Sequence, residues 1–241
     1  MKRFEKASEL LWAFGIIFVA LGVSTCSKAD LGVSMIAAPA FIISEALLPI
    51  ASVFNVGVVE YLFQGAILII LCIVIKKFDW RYLLAFAVAV IYGYVLNFFL
   101  WLWGDVNFSA VWLRWIMLFI GDCFTAFGVA CFFRTYMPLQ VFELFVAEIS
   151  DKFNIQIAKV KSAFDASLLC ISILLAITLF GDFKDFDWTK VASSSFHSIG
   201  LGTLVTTAIN SPLITLMGKV IDKLFGSEPY FKYLNKILSR S

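Results

Sequence analysis

The chain has 241 residues, of which 61% are hydrophobic and 15% are charged, and its formal net charge is +2. Soluble globular domains carry about a quarter charged residues, so this composition excludes that class, and so small a net charge gives no reason to expect a nucleic-acid partner. Several apolar runs reach the roughly 20 residues that cross a bilayer as a helix. The stretch "GAILIILCIVI" lacks the alternation of a β-barrel strand. These features predict an all-α polytopic membrane protein.

Eight apolar segments follow one another along the chain and are expected to be helical. They cover residues 8–26, 33–50, 56–75, 82–103, 110–134, 138–153, 160–181 and 197–222. Six of them read as full membrane spans, and the exceptions are 33–50 and 138–153. The stretch "FELFVAEISDKF" in the second exception is too charged to face lipid and too apolar for a solvated loop.

The distribution of lysine and arginine predicts how these segments are oriented. Basic residues mark cytoplasmic connections, so the start "MKRFEK" and the connection "KKFDWR" (76–81) should lie on the same side. That is satisfied only if segment 33–50 enters and leaves the membrane on one face. The same treatment of 138–153 keeps its basic neighbours inside. The sequence therefore predicts six transmembrane helices plus two re-entrant helices, with both termini cytoplasmic.

An internal repeat accompanies this arrangement. "FVALGVSTCSK" (18–28) aligns with "FTAFGVACFFR" (124–134), and further along, after one residue of slip, Glu60 aligns with Asp165. Each copy then holds three full crossings and one re-entrant segment. Because three is odd, the second copy must be inverted relative to the first, as in many secondary transporters.

The repeats set the expected domain organisation. We predict one transmembrane domain over residues 1–225, with repeat one at about 8–103 and repeat two at about 110–222. The remaining residues, 226–241, form a basic, amphipathic tail that would lie on the inner leaflet.

Polar and ionisable side chains inside apolar segments are the candidate site, because at membrane depth they are costly and face the bundle interior or water. Asp122 is the sharpest case, since no basic residue lies near it on its own helix, although a structural hydrogen bond would also account for it. Lys161 and Asp165 have the spacing of an intrahelical ion pair. The predicted cavity residues are Glu60, Gln64, Asn97, Asp122, Glu143, Asp165, Thr206 and Asn210.

Acids outnumber bases in this set, which indicates either a cationic or zwitterionic solute or carboxylates that carry protons or sodium. We therefore expect a secondary transporter of a small solute, with a substrate-capturing membrane subunit energised by a separate ATPase as the alternative. No nucleophile–base pair and no metal-ligand spacing occur, and His197 is the single histidine. The expectation is a protein that is not an enzyme and has no cofactor or metal. The sequence leaves homo-oligomerisation open.

Three motifs carry a family resemblance. "LGVSMIAAPAFIISEALLP" follows the first span, and "GLGT" opens the last span ahead of "NSP". With the mid-chain "GD" span, they resemble the YczE/YitT-type integral membrane proteins of bacteria. The resemblance implies a multi-pass protein of the bacterial cytoplasmic membrane, in contact with lipid, and names no substrate. The acid-rich segment 138–153 departs from that pattern.

Overall fold

The computed structural model describes residues 7–181, 195–226, 228–231 and 233. These residues form eight helices and no strand, which are α1 Ser8–Lys28, α2 Ala38–Leu47, α3 Val56–Ile75, α4 Arg81–Trp103, α5 Val111–Phe132, α6 Val141–Phe153, α7 Ile157–Phe180 and α8 Leu201–Leu224. All except α2 and α6 are long and apolar enough to cross a membrane. The predicted all-α, multi-pass class is confirmed. The basic start, most of "GDFKDFDWTK" and most of the predicted tail lie outside the described residues.

Local sequence accounts for where several helices begin and end. The Asn55 side chain accepts a hydrogen bond from the backbone N–H of Val58 at 3.1 Å and caps α3. Lys76 and Asn154, at φ values of 57° and 52°, adopt the left-handed conformation that commonly ends a helix. These residues separate α3 from α4 and α6 from α7.

Glycines bring α1 and α5 into close contact at the centre of the fold. A Cβ atom added to Gly22 would lie 2.5 Å from the carbonyl oxygen of Gly121, and one added to Gly128 would lie 2.9 Å from that of Gly15. The contacting positions rise along α1 as they fall along α5, so the two helices run antiparallel. Small residues allow this approach, as is usual where membrane helices cross.

The helix pairings have an internal regularity. Helix α1 packs against α5, α1 packs against α4, and α5 packs against α8. The short helix α2 packs against α3 and α7, and the short helix α6 packs against α7 and α3. Finally, α3 packs against α4, and α7 packs against α8. If α1 is exchanged with α5, α2 with α6, α3 with α7 and α4 with α8, the same set of pairs results. An additional contact joins α4 to α6.

The short helix α6 runs beside α3 from near its middle to its end. At its start, the ring of Phe142 lies 6.3 Å from that of Phe63 on α3 and 5.9 Å from that of Phe164 on α7, measured between ring centroids. At its end, the Lys152 ammonium donates to the carbonyl of Val74 at 2.7 Å. The first turn of α6 is therefore wedged between α3 and α7, and its last turn reaches the end of α3.

Candidate functional site

Seven of the eight predicted site residues are buried in the helix bundle. Glu60, Gln64, Asp122, Asp165 and Asn210 have no exposed surface, Thr206 exposes 1% and Glu143 exposes 2% of theirs. Asn97 is partly buried. The set includes four carboxyl groups, which are costly to bury without compensation.

One part of the site lies between α3 and α6. Glu60 and Gln64 share a face of α3, and Gln64 Nε2 donates a hydrogen bond to Glu60 Oε1 at 3.3 Å. Glu143, in the first turn of α6, is close enough to Glu60 for their charges to interact. The N-terminal end of a helix favours a carboxylate, which helps to explain why an acid is tolerated at this deep position.

The other part lies between α5, α7 and α8. Lys161 donates to Asp165 Oδ1 one turn along α7, and Asn210 Nδ2 of α8 donates to Asp165 Oδ2 at 3.4 Å. The Asp122 carboxyl of α5 lies within Coulombic range of both charged groups of this pair. Side chains of α7 and α8 therefore bond the carboxylate of Asp165 directly, and the Asp122 carboxyl of α5 interacts with it through charge.

Glu143 joins the two parts into one cluster. Its carboxyl lies within Coulombic range of Lys161 and Asp165 as well as of Glu60. Among the described residues, Lys161 is the one buried side chain with a positive charge. Four carboxyl groups face one ammonium, so the cluster needs bound protons or another cation to approach neutrality.

The unsatisfied atoms of the cluster are all oxygens. Within the described part of the chain, the buried side-chain oxygens that lack a hydrogen-bond partner are Glu60 Oε2, Gln64 Oε1, both oxygens of Asp122, Gln140 Oε1, Glu143 Oε2 and Asn210 Oδ1. The amides of Gln64 and Asn210 are oriented by donating to carboxyl groups. Buried acceptors need donors or positive charge, so a fitting ligand brings one or both.

No metal centre is preformed at this cluster. In residues 7–181 and the other described ranges, no group of three or more His, Cys, Asp and Glu side chains could hold a metal ion. A proton, a monovalent cation or an organic ammonium fits a set of dispersed carboxyl and amide oxygens better than a chelated divalent ion.

Two predicted site residues use their side chains in hydrogen bonds that stabilise nearby helices. Asn97 Oδ1 accepts from the backbone N–H of Gly57 at 2.9 Å, and Asn97 Nδ2 donates to Asn55 Oδ1 at 2.7 Å. Asn97 thus fastens α4 to the start of α3. Thr206 donates to the carbonyl of Thr203 in its own helix at 3.1 Å. Neither residue presents an unsatisfied buried side-chain atom to the cluster.

Tyr92 and Gln140 belong to the surroundings of the cluster, although neither was among the predicted site residues. Tyr92 of α4 is 1% exposed and lies within Coulombic range of Glu60 and Glu143. Gln140 stands one turn before Glu143, and the spacing of Gln140, Glu143, Ala147 and Asp151 places them on one face of a helix, so this spacing was a usable signal. Tyr92 lies among apolar neighbours, and only the packing of α4 reveals its relation to the acids.

Two cavities open at the end of the bundle where α5 and α8 stop. One, of about 550 Å³, is lined by residues including Arg81, Arg134 and Asp151 and touches none of the eight predicted residues. The other, of about 560 Å³, is lined in part by Lys161, Ser211 and Asp222. Lys161 is therefore a member of the buried cluster and also a wall of the second cavity.

An ion pair lines both of these cavities. Arg134, just after α5, binds Asp222 of α8 through two hydrogen bonds of 2.6 and 2.8 Å. Gly218 makes room for this guanidinium group, since a Cβ atom there would meet its nitrogen atoms. This ion pair holds the last turn of α5 beside the last turns of α8. The sequence predicts that these ends are cytoplasmic.

The opposite end of the bundle is held together by backbone contacts. The N–H of Gly202 donates to the carbonyl of Leu31 at 2.9 Å, and the N–H of Val33 donates to that of Ser198 at 2.9 Å. Asp30 pairs with Arg114 at 3.1 Å nearby. A cavity of about 270 Å³ at this end is lined by none of the predicted site residues. Of these three cavities, the one of about 560 Å³ includes a member of the cluster, Lys161, in its lining.

A comparison with protein families gives one match. The model of a family described as being of unknown function, DUF6198, matches residues 6–219. No curated protein and no solved structure matches the chain. The resemblance to YczE/YitT-type proteins is not part of this match and stays a prediction. Since the matched region covers most of the sequence, the chain belongs to the DUF6198 family of unknown function.

Proposed function

We propose that this protein is a secondary transporter of a small cationic or zwitterionic solute, coupled to protons or sodium. The observation that carries the proposal is the buried cluster of Glu60, Asp122, Glu143 and Asp165, whose free atoms are acceptors only. Ionisable groups inside a membrane bundle commonly mark substrate or ion pathways. A purely structural cluster would be expected to satisfy its oxygens within the protein.

The proposed architecture is two inverted repeats, α1–α4 and α5–α8. The exchange of helix pairs between the two halves supports it, as does the antiparallel crossing of α1 and α5. Under the alignment of the repeats, Gly15 corresponds to Gly121 and Gly22 to Gly128. Exchanging the two repeats therefore converts the Gly22–Gly121 contact into the Gly128–Gly15 contact. Inverted repeats with a site near their interface are a recurring plan of secondary transporters.

We propose that α2 and α6 are the re-entrant helices. The extended residues before α6 run along the start of α1, where Trp12 Nε1 donates to the carbonyl of Pro138 at 2.9 Å. The helix then begins beside Phe63 and ends beside Val74. A chain that enters from one end and returns to it would follow this course. Non-helical backbone at such depth is tolerated where it is buried in protein or lines a cavity.

The proposed location is the bacterial cytoplasmic membrane, with both termini inside. Arg81, Arg134 and Lys219 line the two cavities at one end of the bundle, which supports a cytoplasmic position for that end by the positive-inside rule. The cavity that reaches Lys161 would then open to the cytoplasm. In this arrangement the chain is inward-facing. The opposite end, where Gly202 is hydrogen-bonded to Leu31, would be the outer gate.

Reconstitution tests the proposal. The purified full chain is placed in proteoliposomes that enclose a pH-sensitive dye, and imposed gradients of sodium and of small amines are screened for coupled proton movement. The proposal predicts flux that depends on at least one of these cations and that exceeds the passive change recorded in empty liposomes. Ligand binding without flux would instead favour the substrate-capturing subunit that needs an ATPase partner.

A further inference from the structure

The ion pair between Lys161 and Asp165 has features of an occupied cation site. Both side chains are buried, exposing 3% and 0%, and the ammonium is hydrogen-bonded to Asp165 Oδ1. A lysine ammonium has three protons to donate, yet in the described ranges Asp165 is its one hydrogen-bonded side-chain partner. The group behaves chemically as a tethered monovalent cation.

The surroundings of this pair contain more acceptors than the lysine uses. Asp122, within Coulombic range of both Lys161 and Asp165, has two unpartnered oxygens. Asn210 holds Asp165 Oδ2 through its N–H2 group and leaves its own Oδ1 unpartnered and buried. The Asn210 Oδ1 atom is a neutral acceptor in addition to the carboxylate oxygens, and it points to a positively charged ligand that is surrounded by oxygen atoms.

The Lys161 side chain also lies next to a cavity into which it could move. It stands one turn into α7 and lines the cavity of about 560 Å³ that opens beside Arg134 and Asp222. Lysine carries its charge on a flexible, four-carbon stem, so a rotation about that stem would carry the ammonium from Asp165 into the cavity. A ligand entering through the cavity would meet Lys161 before it met Asp165.

We infer that Asp165, Asp122 and Asn210 form a binding site for a small monovalent cation, and that Lys161 competes for this site as a tethered occupant. The ligand class is a compact ion of single charge, either an alkali cation or a primary ammonium. One charge replaces one charge, so the buried cluster keeps the same net charge when the ligand binds and Lys161 moves into the cavity. The inference deepens the proposed function, because it assigns the competitor that would link occupancy to conformation.

Removing the competitor should therefore strengthen cation binding. The probe is thermal unfolding of the full chain in detergent, titrated with sodium, potassium or methylammonium chloride at fixed pH and ionic strength, with N-methylglucamine chloride as the balancing salt. Lys161→Met is expected to lower the apparent Kd for at least one of these cations by about tenfold or more, since an apparent affinity scales with the fraction of sites that is free.

Matched variants separate the site from a general salt effect. Lys161→Arg keeps a permanent positive charge and is expected to bind no more tightly than the wild type. Lys161→Met with Asp165→Asn removes both charges of the pair and is expected to lose the gain. Comparing the apparent Kd for sodium and potassium with that for methylammonium distinguishes an alkali ion from an amine as the ligand. Equal stabilisation of the single and double variants, or no stabilisation of Lys161→Met, would overturn the inference.

A folding defect is also informative. If Lys161→Met folds only when one of the small cations is present, the cation has replaced the lysine, which supports the inference. If it fails to fold in every one of them, the inference is wrong and Lys161 is a structural partner. Cation binding without flux in proteoliposomes would refute the transporter proposal alone. Cation-dependent flux with unchanged affinity in Lys161→Met would refute the tethered-competitor role alone.

Discussion

Gly22 of α1 lies directly against Gly121 of α5, and a Cβ atom on either residue would come within 2.8 Å of the other's carbonyl oxygen. The two backbones are in contact at the centre of the molecule, and the packing of α4 on α1 and of α8 on α5 continues from this crossing. The position of the buried carboxyl cluster therefore depends on how closely these two helices approach, because Asp122 follows Gly121 on the same helix.

We predict that Gly22→Ala destabilises the folded chain by about 1–3 kcal/mol, the usual cost of overpacking. The new methyl group would meet the Gly121 carbonyl and the Thr125 backbone nitrogen, neither of which can rotate away. Gly65→Ala is the matched control, since its nearest neighbour is the Phe86 ring at 3.1 Å. Thermal unfolding in detergent measures both. Equal stability of the two variants would contradict the close crossing.

Asn97 tests whether a predicted site residue is structural instead. Asn97→Ala would leave the Gly57 N–H and the Asn55 side chain without their present partner. We expect a loss of about 1–3 kcal/mol of stability, as for an unsatisfied buried polar group, and no change in cation affinity. Asn107→Ala, in the exposed 104–110 connection, should cost little. A change in cation affinity in Asn97→Ala would return Asn97 to the binding site.

The proposed topology predicts which connections face the cytoplasm. On a chain whose five cysteines are replaced by serine or alanine, Lys77→Cys should be shielded from a membrane-impermeant maleimide added to intact cells. Asn107→Cys should react with the same reagent, because 104–110 is proposed to lie outside. Both should react after the membrane is permeabilised. Labelling of Lys77→Cys in intact cells would require segment 33–50 to cross the membrane.

The sequence predicted the number and approximate positions of the helices because hydropathy reports membrane depth directly. It predicted segment 56–75 with the bounds observed for α3. It overextended 33–50, where α2 covers only Ala38–Leu47. The preceding residues 33–37 are mostly apolar and buried without being helical, and hydropathy does not distinguish a buried turn from a buried helix.

Burial of the site and its pair within α7 were predictable, and its contacts between helices were not. A carboxyl group inside an apolar span must be turned inward whatever the fold, which identified Glu60, Asp122 and Asp165. The i, i+4 spacing also identified the Lys161–Asp165 pair. Nothing in the sequence states that Asn210 of α8 reaches Asp165, or that Asn97 of α4 accepts a hydrogen bond from Gly57 at the start of α3. Those contacts depend on the rotation and depth of neighbouring helices.

Asp122→Asn gives the most direct test of transport through this cluster. Asparagine has nearly the same shape and cannot take or release a proton in the range that proteins use, and both oxygens of Asp122 lack partners within the described residues. The variant should therefore fold. Asp105→Asn, at an exposed position, is the control with the same chemical change.

The measurement is cation-driven proton flux in proteoliposomes that contain the wild type, Asp122→Asn or Asp105→Asn, recorded from pH 5 to pH 8 with an enclosed pH-sensitive dye. The transport account predicts that Asp122→Asn unfolds at the wild-type temperature but loses coupled flux or shifts its pH optimum, whereas Asp105→Asn behaves as the wild type. Flux by Asp122→Asn that matches the wild type at every pH would contradict a role for the Asp122 carboxyl in transport.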